Sequence, residues 1–290
     1  MLADCRIGII GLGRVGYSFL RLFAHYGLNV RAVYNRDPER IQTLRIPQQI
    51  RVQQQLDHFL DDVDLVLICV SDGAIEEVAQ QLAVADCSDK YVIHLSGATG
   101  LDVLGSIKEK GGLVGSLHPP IAFSDPENVI EALKGIYFVL ETGSPALEGL
   151  MKALVKILGS ELVSIPAGQR ERYHLALVIL SNYTVTLWAV AEKILADLGL
   201  EVVVRQTILA GLLHSTYQNL LTKGIPDALT GPLIRGDQHV IAAHLAVMDD
   251  ALLKQSYIDL ARLTYPLLEM KGIDSQIFED KFGENDSKCV

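Results

Sequence analysis

Three groups of residues in this chain are of types and spacings that could do chemistry. The first is Gly11-Leu12-Gly13-Arg14-Val15-Gly16, directly after the apolar run 6–10 and opening a helical stretch. A GxGxxG at a strand-to-helix turn is a phosphate cradle. Its first glycine permits the tight turn, the second lets a pyrophosphate approach the backbone, and the third lets the helix pack on the strand. The helix N-terminus adds free N–H groups and a partial positive charge. At the end of the next strand, where NAD sites carry an acid for the ribose 2′-OH, the chain has Asn35-Arg36. A guanidinium there suits the 2′-phosphate of NADP, so NADP is the expected cofactor and NAD the lesser fit. Asp37 as a displaced ribose ligand is the alternative. Val70-Ser71-Asp72 closes a further apolar strand, where Ser71 and Asp72 either contact the cofactor or cap the helix that follows.

The second group could move a proton. Ser96 and His118 follow two successive strands, and Pro119 holds His118 extended. With Ser71 they should lie along one crevice, facing a substrate. His174, Ser181 and Asn182 sit at i, i+7 and i+8 on a long apolar helix, where buried polar groups need partners or a ligand. A histidine would handle the proton and Asn182 would orient the substrate, or both are hydrogen-bonded core residues. Ser96 could equally cap a turn. The third group, Thr230 and Arg235, lies on the Pro-rich loop 224–236, where Arg235 could clamp an anionic substrate group and Asp237 could cap the next helix. His239 and His244 are five apart and do not face each other as a metal pair would, so no metal site is expected.

The elements that must position these residues are α/β in the first half and all-α in the second. Strands are expected at 6–10, 29–34, 49–53, 64–70, 91–95, 112–117, 137–141 and 161–165, with helices at 16–27 and 75–82. That alternation implies βαβ units and a mostly parallel, Rossmann-type sheet. Beyond Pro166 the periodicity is helical, over 169–198, 202–223, 237–248 and 250–270, the last interrupted near Pro266. Residues 1–166 read as a dinucleotide-binding domain and 167–290 as a helical substrate and dimerisation domain, ending in a polar tail, 278–290.

Composition bounds the partners. With 49% hydrophobic and 21% charged residues the 290-residue chain is an ordinary globular protein. Lys and Arg number 25 against 35 Asp and Glu, a net charge of −10 that argues against wrapping nucleic acid or lying on anionic lipid. Cys5, Cys69, Cys87 and Cys289 are scattered without metal-type spacing, and the N-terminus lacks a basic leader, which together point to the cytoplasm. The uncharged run 175–191, broken by Ser181, Asn182, Tyr183, Thr184 and Thr186, reads as a buried core helix rather than a membrane span. It carries more apolar surface than one small helical domain covers, hence an expected homodimer.

GLGRVG (11–16), the VSD at 70–72, HLSGATGLDVL (94–104), SLHPPIAF (116–123), YHLALVILSNY (173–183) and LTGPLIRGD (229–237) together carry a resemblance. The chain resembles the uncharacterised Rossmann-like proteins with a helical C-terminal domain of unknown function. These are related at fold level to pyrroline-5-carboxylate reductase and the 6-phosphogluconate dehydrogenase-like group. The resemblance implies a nicotinamide-cofactor domain, a helical domain that builds the substrate pocket, and a homodimer. It supplies no substrate. One departure stands out: hydroxyacid dehydrogenases of the wider group carry a catalytic lysine on the long helix, and here no lysine occurs from Gln169 to Glu192. The expectation is an NADP-dependent oxidoreductase acting on a small carbonyl, hydroxy or imine substrate. The alternatives are a non-catalytic NADP(H)-binding sensor or regulatory protein, or a flavin- or deazaflavin-linked NADP oxidoreductase.

Overall fold

In a computed structural model of the protein, residues 2, 4–121, 123 and 128–282 are described. The last part of the expected polar tail, Cys289, and Ala122 of the SLHPPIAF stretch lie outside them. The chain divides into two compact units, Met1–Thr184 and Val185–Val290.

The first unit runs β1 (Ile7–Ile10), α1 (Arg14–His25), β2 (Val30–Tyr34), α2 (Pro38–Gln42), β3 (Arg51–Gln53), β4 (Leu65–Ile68), α3 (Ile75–Leu82), β5 (Tyr91–His94), α4 (Gly105–Glu109), β6 (Leu113–His118), α5 (Val129–Leu133), β7 (Tyr137–Thr142), α6 (Pro145–Ile157) and β8 (Glu161–Ser164). All eight expected strands are present, each within two residues of the expected ends. They form one sheet in the order β3-β2-β1-β4-β5-β6-β7-β8. Every neighbouring pair is parallel except β6 with β7, which are antiparallel. The order reverses between β1 and β4, the switch point at which ligands of open α/β sheets collect beyond the carboxyl ends of the strands.

The central strands are apolar throughout because both faces are covered. On one face Phe19 and Phe23 of α1 pack with Leu117, Phe138 and Leu154, the Phe19 and Phe23 rings meeting edge to face at 5.6 Å. On the other, Ile10, Val66 and Ile68 pack against Phe59, Ile75 and Leu104. Gly8 of β1 makes room for this second layer, since a Cβ there would stand 2.5 Å from the Phe59 ring. Each such fully buried side chain stabilises by ~1.5–3 kcal/mol, enough to fix the strand ends where the polar residues sit.

The helical part begins with α7 (Arg170–Asp197), followed by α8 (Val202–Lys223), α9 (Gln238–Ala246), α10 (Ala251–Glu269, with Pro266 inside) and α11 (Glu279–Phe282). The second unit has its own small core of Ile241, Leu245, Ile258, Leu268 and Phe278. One expectation is corrected. The apolar run 175–191 is not a buried core helix, for Arg170 is the buried residue of α7 among those described, and Leu180 and Val185 are 72% and 69% exposed. The apolar residues of 175–191 run around the whole helix, so no one face can be turned inward and the rest left polar. By length and composition α7 is also long and apolar enough to cross a membrane.

Candidate functional site

The glycine turn is built as a cradle. Gly11 has φ +90°, and its N–H donates to the Tyr34 carbonyl at 2.8 Å. A Cβ on Gly11 would stand 2.8 Å from the Cys69 carbonyl oxygen, and one on Gly16 would collide with the Gly11 carbonyl oxygen. These two glycines are therefore required by the fold itself. Gly13 differs: a Cβ there would meet nothing within 4 Å, and its φ of −68° suits any residue. Gly13 is the N-cap of α1 and makes no side-chain cap, so the first N–H groups of the helix have no cap partner.

Asn35 holds the turn from outside. Its Oδ1 accepts from Leu12 N–H at 2.8 Å and its Nδ2 donates to the Asp37 carbonyl at 2.9 Å. Arg40 Nε donates to the Leu12 carbonyl at 3.4 Å. Asp37 caps α2, its Oδ1 accepting from Glu39 N–H at 2.9 Å and Arg40 N–H at 3.3 Å.

A cleft of about 270 Å³ opens at the switch point. Of the residues singled out from sequence, Gly11, Gly13, Asn35, Arg36, Asp37, Val70 and Ser71 line it; Leu12, Arg14, Val15, Gly16 and Asp72 are not among its lining. Glu77 and Gln81 of α3 line it too, and no motif marked them. Ser71 and Asp72 do not cap the following helix through their side chains. This geometry fits a dinucleotide: two glycines that shape the turn, a third that leaves open space, an uncapped helix end, and Arg36 at the end of β2.

The second cluster stands at the ends of β5 and β6. His118 Nδ1 is 2.8 Å from the Tyr173 hydroxyl, with the rings edge to face at 5.7 Å. Gly97 lets two histidines converge, since a Cβ there would lie 2.9 Å from His118 Nε2 and 3.0 Å from His174 Cδ2. Burial pushes the His118 pKa down to about 4; the Arg170 charge and then His174 act the same way, and Asp72 opposes them. At neutral pH the imidazole is uncharged. Burial pushes the Tyr173 hydroxyl up to about 12, with Arg170 opposing. His94, buried one strand away, is likewise pushed down to about 4 and faces the Gly100 carbonyl at 3.3 Å.

Beneath this cluster lies a charged pair that sequence reading missed. Arg170 is fully buried, its Nε 3.3 Å from Glu141 Oε2 and its Nη2 donating to the Ser116 carbonyl at 2.9 Å. Tyr173 was also missed. Ser96 is used locally: its hydroxyl accepts from Ala98 and Thr99 N–H and donates to Thr99 Oγ1, which is the turn-capping alternative. Asn182 is exposed and lies eight residues along α7 from His174, ~12 Å at 1.5 Å per residue. Thr230 and Arg235 belong to the second unit and are exposed, and Asp237 caps α9 through Val240 N–H.

Residues 6–97 match the model of a family described as NADP oxidoreductase coenzyme F420-dependent, and residues 136–264 match that of a domain of unknown function (DUF2520). The solved structures that the chain is similar to include a protein of Bacteroides fragilis assigned as an NADP oxidoreductase, at 25% identity and a TM-score of 0.73 over 90% of this chain and 98% of that one. A protein of Thermotoga maritima gives 23% and 0.70 over 91% and 99%, and an imine reductase of a Pseudomonas species 17% and 0.66 over 96% and 99%. No curated protein matches the chain. The resemblance read from the motifs therefore stands: an NADP oxidoreductase match at the N-terminal part, then a match to a domain of unknown function that starts at β7 and runs on through α7 and α8.

Proposed function

We propose that the chain is an NADP-dependent oxidoreductase that reduces, or forms by oxidation, a small carbonyl, hydroxy or imine compound. The observation that carries this is the cradle itself: Gly13 faces open space beside the uncapped N-terminus of α1, and Arg36 lines the same cleft. The matched NADP oxidoreductase model and the similar proteins named for NADP or imine reduction support the reading.

In this reading Gly11, Gly13 and the N–H groups opening α1 hold the pyrophosphate, and Arg36 takes the 2′-phosphate through a forked contact. Asn35 keeps the turn in shape and leaves its own groups satisfied. Val70 and Ser71 border the nucleotide. The nicotinamide, when bound, supplies the hydride chemistry. The His118–Tyr173 pair handles the proton: with the imidazole neutral, Nδ1–H can donate to the tyrosine oxygen and leave the hydroxyl proton directed outward. His174 borders the same spot across Gly97. Asn182, Thr230 and Arg235 are kept as substrate-side groups, and 167–290 as the substrate and dimerisation domain.

The assembly we propose is a homodimer. Leu180, Val185, Leu212 and Leu221 of α7 and α8 are 72%, 69%, 65% and 64% exposed, apolar surface left open to water on these helices. A second copy would cover it. The free thiols Cys5, Cys69 and Cys87 fit a cytoplasmic home.

The test is NADPH oxidation against a panel of cyclic imines, ketones and keto acids. Turnover on one class, lost in Tyr173→Phe, supports the reading. NADPH binding without turnover on any member favours the sensor alternative. The matched model also names coenzyme F420, so a reduced deazaflavin belongs in the panel as the redox partner of NADP.

A further inference from the structure

We propose that Arg170 is a positioning residue for the Tyr173–His118 pair, clamped so that it fixes where the tyrosine hydroxyl meets the imidazole. The inference rests on the reading of that pair as the proton-handling group. Arg170 sits in the first turn of α7 and Tyr173 one turn on, so the two share a face. The guanidinium carbon lies 5.6 Å from the Tyr173 ring centroid. Its Nη2 donates to the carbonyl of Ser116, two residues before His118 on β6. Its Nε reaches Glu141 on β7, and the other Glu141 oxygen accepts from Gly168 N–H, just ahead of the helix, at 2.8 Å. One buried fork thus ties the strand that ends in His118 to the helix that carries Tyr173.

Holding a helix on a sheet does not require a charge. An interior ion pair is often no better for stability than apolar residues of the same size, and Arg170 Nη1 has no hydrogen-bond partner. What apolar residues would not supply is direction and charge. Burial opposes protonation of His118 most, the Arg170 cation next and the neighbouring His174 after it, while Asp72 acts the other way. The same cation favours the ionised form of Tyr173, against the effect of burial. Arg170 therefore adds to burial in keeping the imidazole neutral and partly offsets the effect of burial on the phenol.

The experiment is a pH titration of the His118 ring by NMR in histidine-labelled, full-length protein. The variants are Arg170→Lys and the size-matched double variant R170M/E141L, each checked for a cooperative melt. Wild type should titrate at about 4. The double variant should titrate higher than wild type, and Arg170→Lys, which keeps the charge, near wild type. On a panel substrate that turns over, the double variant should lose ~10–100-fold in kcat with KM little changed. A folded double variant that titrates with wild type would overturn the inference. If the double variant does not melt cooperatively, Arg170→Gln takes its place with the same expected rise and the same contrary result. NADPH titration of the same samples keeps the readings apart: wild type that fails to bind NADPH refutes the NADP reading, whereas the His118 midpoint alone decides the role of Arg170.

Discussion

Gly13→Ala separates what the glycine turn does for the fold from what it does for a ligand. A Cβ at Gly13 meets nothing within 4 Å and the backbone there is in an ordinary extended conformation. Alanine is a poorer N-cap than glycine by roughly 0.5–1 kcal/mol. It also restricts the unfolded chain, which stabilises by about 0.4–1 kcal/mol. The two nearly cancel, so the melting temperature should move by no more than ~2 °C. The methyl group would occupy the space a pyrophosphate needs, an overpacking worth ~1–3 kcal/mol, or a ~5–150-fold rise in the NADPH Kd. Gly16→Ala is the control with the opposite profile. Its Cβ would collide with the Gly11 carbonyl, a backbone atom no rotamer change can move aside. A loss of about 3 kcal/mol, or ~6–12 °C, is expected there. The assays are thermal melts and a nicotinamide fluorescence titration. The reasoning fails if Gly13→Ala melts as low as Gly16→Ala, or if it binds NADPH like wild type.

Asn35→Ala removes the side chain that accepts from Leu12 N–H and donates to the Asp37 carbonyl; it should cost about 1–2 kcal/mol in urea unfolding and weaken NADPH in parallel, and an unaffected Kd would count against a shaped turn. His94 and His118 are pushed down to about 4 when folded, below the unfolded value near 6.5. The unfolded state then binds more protons between those pH values, so stability is lost as pH falls through that window, by up to ~1.4 kcal/mol per unit for each histidine. Urea midpoints at pH 7, 5.5 and 4.5 should show it, and His118→Asn should make the slope shallower; an unchanged slope would refute the assignment. Leu180→Asp and Leu212→Asp place charges on the exposed faces of α7 and α8. Light scattering should give a dimer for wild type and a monomer for the pair, and a wild-type monomer would remove the proposed assembly.

The eight strands and the glycine turn were legible because their signals are local. Apolar runs set the strands, and the GxGxxG has its meaning within six residues. His118 was legible as a histidine at a strand end before proline. Tyr173, Arg170 and Glu141 were not, because their meaning comes from partners far off in sequence. Tyr173 pairs with His118 across 55 residues, and Arg170 reaches Ser116 across 54 and Glu141 across 29. Charged Arg170 and Glu171 at the head of the long helix look like a solvated start, and nothing local says that one of them is fully buried. Ser96 illustrates the converse: a strand-end serine followed by glycine suits either a ligand or a turn, and here two N–H groups close by claim its oxygen. The apolar run in α7 was read as a buried core helix, whereas Leu180 and Val185 stand exposed, since composition sets how apolar a helix is and not where in the fold it lies.

The most direct measurement is a titration of the purified protein with NADPH and with NADH, followed by nicotinamide fluorescence, in wild type and Arg36→Ala. Wild type should prefer NADPH, and loss of the guanidinium should raise the NADPH Kd ~10–150-fold, the worth of a charge-assisted contact, while leaving NADH nearly unchanged. Binding of neither nucleotide by wild type, or an unchanged preference in Arg36→Ala, would contradict the assignment of the cleft to NADP.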